Sequence, residues 1–216
     1  MSKSRLLILG AGGHGKVVAE TAFLSNQFSK ISFLDDQING ADFLPSHLNS
    51  SIIGSFSDCH LPEIRHEFSS AIVAIGDPAS RLLWSSLLVE AGYALPALIH
   101  PSAIISPSAQ LDNGVVVFAH VVVQASCSIG FGAILNTGCS VDHDSDIADG
   151  VHLCPGSRLA GEVKVGERSW IGIGASVIQQ VRIGSDVTVG AGAAVVRDIP
   201  NKVTVVGVPA RVVSSR

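Results

Sequence analysis

Large rings are scarce in this chain. Aromatic residues fill only 5% of its 216 positions, with two Trp and one Tyr, although 47% of the chain is hydrophobic. Its core must therefore be mainly aliphatic, as suits a narrow interior. No apolar run approaches the roughly 18 residues that a membrane span requires. Lys and Arg number 14 against 18 Asp and Glu, and no basic cluster interrupts the net charge of −4, which argues against nucleic acid or an anionic membrane as partner. The opening residues, Met1 to Arg5, lead directly into an apolar run and not into a secretory leader, so a soluble, cytoplasmic protein is expected. There are four cysteines and no CxxC pair. Cys59, Cys127, Cys139 and Cys154 are expected to be buried, reduced thiols, with no disulfide or metal role.

What the chain does have is a period. From Ile99 to Val195 every sixth residue is Ile, Leu or Val, through Ile105, Leu111, Val117, Val123, Ile129, Leu135, Val141 and onward without a failure in seventeen slots. Random order would fill about five of them, and a short fixed period is the mark of a solenoid. Four residues after each slot comes a small or β-branched residue, such as Ala133, Cys139, Ser145 and Val151. This pattern predicts strands of two or three residues joined by sharp turns, with one large and one small side chain per hexad facing inward. A helix is excluded, because its apolar positions would recur at three and four residues. On periodicity alone the array could be a purely structural rod.

The first 95 residues follow another grammar. The apolar run Leu6 to Leu9 precedes Gly10-Ala-Gly12-Gly13-His14-Gly15, and a helix is expected from Lys16 to about Phe23. GxGxxG between a strand and a helix is the arrangement in which backbone amides and a helix N-terminus receive phosphate. A second strand, Ile31 to Leu34, ends in Asp35-Asp36, where a ribose hydroxyl would be held. A third, Ala71 to Ile75, is followed by Gly76-Asp77 and a helix from Pro78 to about Ala91, with Gly92 as its cap. These elements make a small parallel α/β domain. A nicotinamide dehydrogenase fits poorly, because a dinucleotide spans two mononucleotide halves and three or four strands offer one.

Taken together, Leu9 to Gly15, Phe33 to Asp36, Ala74 to Asp77, Ile99-His-Pro-Ser-Ala103 and the hexad array resemble the NeuD/PglD-like family of sugar O- and N-acetyltransferases. The resemblance runs the length of the chain. It implies a Rossmann-like α/β domain over residues 1–95 that binds a nucleotide-linked sugar. It also implies an all-β left-handed parallel β-helix over 96–216 that binds acetyl-CoA between subunits of a homotrimer. Nucleotide-sugar contacts are implied at Gly12, Gly13, His14, Asp35, Asp36 and Gly76. Arg81, one turn into the following helix, is expected to reach a phosphate.

In the coils, Leu135 to Asp144 carries the most specific motif of the resemblance. His143 matches the general base, a role suited to imidazole because attack on a thioester needs a neutral amine and a proton acceptor near neutral pH. Asp144 matches its acidic neighbour. Adjacent residues of a strand point to opposite faces, so Asp144 can touch the imidazole only at a corner of the coil. The resemblance further implies that Asn136 faces the sugar, that His152 contacts the acetyl group, and that the Gly161 amide, Ile173 and Ala191 hold acetyl-CoA. The basic end of Val206 to Arg211 matches a terminal signature that approaches the coenzyme phosphates.

Two metal readings fail on spacing. Asp142-x-Asp144-x-Asp146 opens like a calcium loop, but Ile147 and Leu153 stand where a Gly and a bidentate Glu are required. His143 and His152 have only core cysteines for a zinc site. His100 and His120 read as structural. Outward uncharged residues such as Val121, Ile173 and Ala191 are expected to face partner subunits. The expected activity is transfer of acetyl from acetyl-CoA to the amine of a UDP-4-amino-4,6-dideoxy sugar. A GDP-linked substrate, a sialic acid O-acetyltransferase and a non-enzymatic trimeric module that senses nucleotide sugars remain the alternatives.

Overall fold

A computed structural model describes residues 3–37, 48 and 50–215. The chain divides into two compact units, Met1–Pro101 and Ser102–Arg216.

In the first unit, four parallel strands lie in the order β3-β2-β1-β4, with β1 Ser4–Leu9, β2 Phe28–Leu34, β3 Ile52–Gly54 and β4 Ser70–Val73. Central β1 is covered on both faces, and Leu6, Leu7, Ile8 and Leu9 are fully buried. Such strands read as unbroken apolar runs, without the alternation of half-exposed ones. Helix α1, Gly13–Leu24, begins three residues earlier than its apolar pattern suggests, because the glycine loop itself supplies its first turn. Helix α2 is Pro62–Glu67 and α3 is Pro78–Glu90. Asp77 caps α3 by accepting from the Ser80 amide at 2.8 Å, and Gly92 leaves it at φ +85°. Strand β3 was not singled out in the sequence. Three residues without alternation leave no readable period.

The second grammar becomes a three-sided coil. Seventeen two-residue strands, from Leu98–Ile99 to Ala194–Val195, each end on an aliphatic slot. Strands 18 residues apart pair in parallel, as Ser140 and Val141 do with Arg158 and Leu159, so three hexads make one turn and three sheets form the faces. The slots from Val117 to Val195 are buried, with the small residues four positions later beside them. Val121 belongs to that inner set at 0% exposure, which corrects its placement on an outer face. All four cysteines are buried and free.

From Leu111 to Val189, each turn between faces takes a left-handed residue three positions after the slot. Gly138, Gly156, Gly174 and Gly192 supply it on one edge at φ +65 to +68°. On the next edge Ser126, Asp144, Glu162 and Gln180 do so at φ +58 to +63° without being glycine. A hairpin of Val203–Val206 and Arg211–Ser215 closes one face, pairing onto the Thr188–Val189 strand.

Candidate active site

The edge without glycine carries His143. With Asp144 at φ +58°, the carboxylate turns back to the preceding side chain, and Asp144 Oδ2 lies 2.8 Å from His143 Nδ1. A carboxylate only accepts, so Nδ1 carries the proton and the Nε2 lone pair is left for substrate. The corner thus resolves the strand-geometry objection to this pair. Asp142 plays a different part, its Oδ1 accepting from the His143 amide at 2.9 Å. The bond to Asp144 first, then the charges of Asp142, Asp144 and Glu162, hold the His143 pKa above the usual imidazole value. The His143 side chain is 54% exposed, which suits a group that must meet a substrate.

One coil further, Gly161 serves as the floor under the ring. A Cβ at Gly161 would come within 2.6 Å of His143 Cε1 and Nε2. The Glu162 amide donates to the His143 carbonyl at 2.8 Å, fixing the register. Gln180 Nε2 in turn lies 3.3 Å from both Glu162 carboxylate oxygens. A groove of about 590 Å³ bordered by Asp144, Glu162, Lys164, Gln180 and Arg182 runs along this edge.

The glycine edge holds the other residues assigned to the coil. Asn136, His152, Ile173 and Ala191 line one groove of about 410 Å³, together with Trp170 and Gly190. His152 is only 6% exposed. Asn136 Nδ2 lies 3.1 Å from His152 Nε2, and an amide nitrogen donates, so Nε2 accepts. The Trp170 ring centroid is 4.2 Å from that of His152. Ile173 is 61% exposed at the mouth. His143, Asp144 and Gly161 are therefore together on one edge, while Asn136, His152, Ile173 and Ala191 are together on another. Trp170 and Glu162 were missed in the sequence. Their signal was the 18-residue step, since Trp170 stands one coil beyond His152 and Glu162 one coil beyond Asp144.

In the α/β unit the glycines divide by cause. Gly10 has φ +107°, and a Cβ on Gly15 would lie 2.0 Å from the Gly10 carbonyl oxygen, so both are demanded by the fold. Gly12, Gly13 and Gly76 have nothing within 4 Å of a Cβ, leaving open space where the ends of β1 and β4 adjoin. Asp35 accepts from the Ala11 amide at 2.7 Å and the Gln37 amide at 2.8 Å, tying the glycine loop to β2. Asp36 accepts from the Phe56 amide at 3.0 Å. His14 is pushed down to about 4 by burial and then by the Arg81 charge, so it is neutral at physiological pH. Arg81 departs from expectation. It is 1% exposed, and its Nη1 donates to the carbonyls of Ile75 and Gly76, so it lies under the loop and is not extended to a ligand.

Among the described residues no group of three His, Cys, Asp or Glu could hold a metal ion, and no helix is long and apolar enough to cross a membrane. A three-sided hexad coil with an acid-supported histidine on one edge and an apolar groove on another defines a hexapeptide-repeat acyltransferase. The comparisons make this narrower. Residues 5–88 match the PglD N-terminal domain model and residues 162–197 the bacterial transferase hexapeptide model. The acetyltransferase domain of PglB from Neisseria gonorrhoeae is 41% identical, with 98% of this chain and 100% of that one covered at a TM-score of 0.92. PerB from Caulobacter crescentus, solved with CoA and GDP-perosamine, is 38% identical at TM-score 0.90, with 99% of each chain covered. A GDP-perosamine N-acetyltransferase of Escherichia coli O157:H7 is 28% identical over 183 residues, 78% of this chain and 75% of its own. The chain belongs to the NeuD/PglD-like family of sugar acetyltransferases, and its coil is the left-handed parallel β-helix of that family.

Proposed function

We propose that this protein transfers acetyl from acetyl-CoA to the amine of a nucleoside-diphosphate-linked 4-amino-4,6-dideoxy sugar, for surface glycan biosynthesis in the cytoplasm. The observation that carries the reading is the His143–Asp144 pair, with its free Nε2, seated on Gly161. The amine attacks the thioester carbonyl carbon, and Nε2 takes the ammonium proton. Collapse of the tetrahedral intermediate breaks the C–S bond, and the departing thiolate takes the proton from the imidazolium, leaving an acetamide and CoA-SH. Asp144 fixes the tautomer and favours the imidazolium. The Gly161 amide is assigned to the oxyanion, where one aimed donor is worth about 3 kcal/mol.

The groove of Asn136, His152, Ile173 and Ala191 is assigned to the coenzyme arm and acetyl group, with Asn136 towards the sugar. Because that groove and His143 occupy different edges of one coil, a complete site draws one edge from each of two copies, which supports a homotrimer. The nucleotide is assigned to the open glycines Gly12, Gly13 and Gly76, with His14, Asp35 and Asp36 around them. UDP is the nucleotide proposed, and GDP is its first competitor because two relatives are described with GDP-perosamine.

Steady-state assays with acetyl-CoA and UDP- or GDP-4-amino-4,6-dideoxy sugars test this directly. Acetylation of the UDP-sugar with a kcat/KM at least tenfold above the GDP-sugar is expected. Preference for the GDP-sugar would overturn the choice of base, and turnover only on free sialic acid would move the reaction to O-acetylation. Nucleotide-sugar binding without turnover of any of these would leave a binding module. Sedimentation should show a trimer, and an active monomer at micromolar concentration would refute the shared site.

A further inference from the structure

The turn Ile75-Gly76-Asp77, where β4 passes into α3, is held from beneath by a buried cation. Arg81 Nη1 donates to the Ile75 carbonyl at 2.9 Å and to the Gly76 carbonyl at 2.8 Å. Two more bonds lock α3 onto the same turn, from the Arg81 amide to the Asp77 carbonyl at 2.9 Å and from the Ser80 amide to Asp77 Oδ2 at 2.8 Å. Both peptides of the turn are trans. In a planar trans peptide the N–H points opposite the C=O, so carbonyls drawn down to Arg81 turn the amides of Gly76 and Asp77 outward. Neither amide donates to an acceptor among the described residues. A Cβ at Gly76 would meet nothing within 4 Å, so the turn borders open space on its side-chain side.

Burying a guanidinium is costly unless its charge is used. Its neighbour His14 is neutral, being held near 4, so the positive charge beneath the rim is that of Arg81, offset in part by the Asp77 carboxylate of the same turn. Burial brings Arg81 down to about 10, still protonated at physiological pH. We infer that Arg81 is a positioning residue for the phosphates of the nucleotide sugar: without touching them, it turns the Gly76 and Asp77 amides to receive them and sets a fixed positive charge below. This rests on the nucleotide-sugar reading above. An arginine that merely stapled helix to loop would, when replaced, lower stability without separating the two substrates.

The test uses the full chain with Arg81→Met and Arg81→Lys. Readouts are both KM values, UDP and GDP affinity by calorimetry, thermal stability, and the Gly76 and Asp77 amide resonances during UDP titration. Arg81→Met should raise the sugar-nucleotide KM by ~30-fold, the worth of a lost charge-assisted contact. The acetyl-CoA KM should stay within about twofold, and Arg81→Lys should recover only part of the affinity, because it restores the charge without the guanidinium's fixed donor geometry. In the wild type both amide resonances should move on UDP binding. A folded Arg81→Met variant with unchanged nucleotide affinity, or with equal rises in both KM values, overturns the inference while leaving the function standing. If that variant does not fold, wild-type amides of Gly76 and Asp77 that ignore bound UDP overturn it instead. A wild type that binds neither UDP nor GDP sinks the nucleotide-sugar reading and this inference together.

Discussion

Two edges of the coil make the same turn with different residues. On one, Gly138, Gly156, Gly174 and Gly192 take the left-handed conformation at no steric cost; on the other, Ser126, Asp144, Glu162 and Gln180 take it at about 1 kcal/mol each. Backbone geometry cannot explain the difference, because the φ values are nearly equal. The glycine edge leaves out side chains beside the groove of Asn136, His152, Ile173 and Ala191, the one assigned to the coenzyme arm. The other edge accepts strain in order to keep side chains. Asp144 shows the return, since only a left-handed residue in this position folds its carboxylate back onto the histidine that precedes it. Omission of glycine is not by itself a mark of a site, since His120, Arg168 and Asp186 also take the left-handed turn; what sets the Asp144 corner apart is the bond its carboxylate makes to His143.

The largest break in this comparison comes from removing the group the strained edge exists to serve. His143→Ala should lower kcat by ~10²- to 10⁴-fold, the range for a lost general base, with acetyl-CoA affinity unchanged because the groove assigned to the coenzyme is lined by residues of another edge. Retention of more than half the wild-type kcat, with chemistry rate-limiting, would move the base elsewhere. The next effect is steric. In Gly161→Ala the new methyl would sit 2.6 Å from the imidazole, so the ring must move. A misplacement of about 1 Å costs on the order of 10²-fold. A kcat within threefold of wild type, at unaltered thermal stability, would show that the ring does not rest on Gly161 during catalysis.

Much of the coil was legible because its period is set by burial, which leaves a residue-type signature at every inward slot. The partners of the site were harder to read, because outward residues are under no such constraint. Trp170 carries no local motif, and its meaning emerges only when 18-residue neighbours are stacked and its ring meets His152. The α/β unit was legible where strands are buried on both faces, as in Leu6 to Leu9, and obscure at short β3. Arg81 illustrates the limit most directly. Its position after Gly76 announces a cation near the strand ends, but sequence spacing cannot distinguish a guanidinium above the loop from one beneath it, and here two carbonyls and burial place it beneath.

Replacing Asp144 with glycine separates strain from function at one residue. Asp144→Gly removes the left-handed penalty and also the carboxylate, so thermal stability should stay within about 0.5 kcal/mol of wild type. Activity should fall by about tenfold. The sign of the pH effect follows from the bond to Asp144, which raises the His143 pKa; without it the pKa falls towards the ordinary imidazole value. Since the base must be deprotonated, kcat/KM rises with pH through that pKa, and the rising limb should move to lower pH in Asp144→Gly. A limb that stays in place while the rate drops would mean that Asp144 orients the ring without tuning its basicity.

The smallest expected effect lies on the opposite edge and asks whether the glycines there answer only to backbone geometry. Gly138 sits at φ +65° with nothing within 4 Å of a Cβ, and Thr137 before it does not line the groove, so Gly138→Ala introduces no clash. Its whole cost is the left-handed penalty of an L-residue, about 1 kcal/mol. For a chain of this length that corresponds to a fall in Tm of about 2–4 °C. The penalty is shared by ground state and transition state, so kcat should not change. Gly174→Ala has the same φ class and the same open space, but it stands beside Ile173 in the groove assigned to the coenzyme. It should show the same loss of Tm together with a two- to fivefold rise in the acetyl-CoA KM, a difference of about 0.5–1 kcal/mol. Equal KM values in the two variants would mean that the glycine edge is shaped by its turns alone, and the contrast between the edges would then rest on the strained side only.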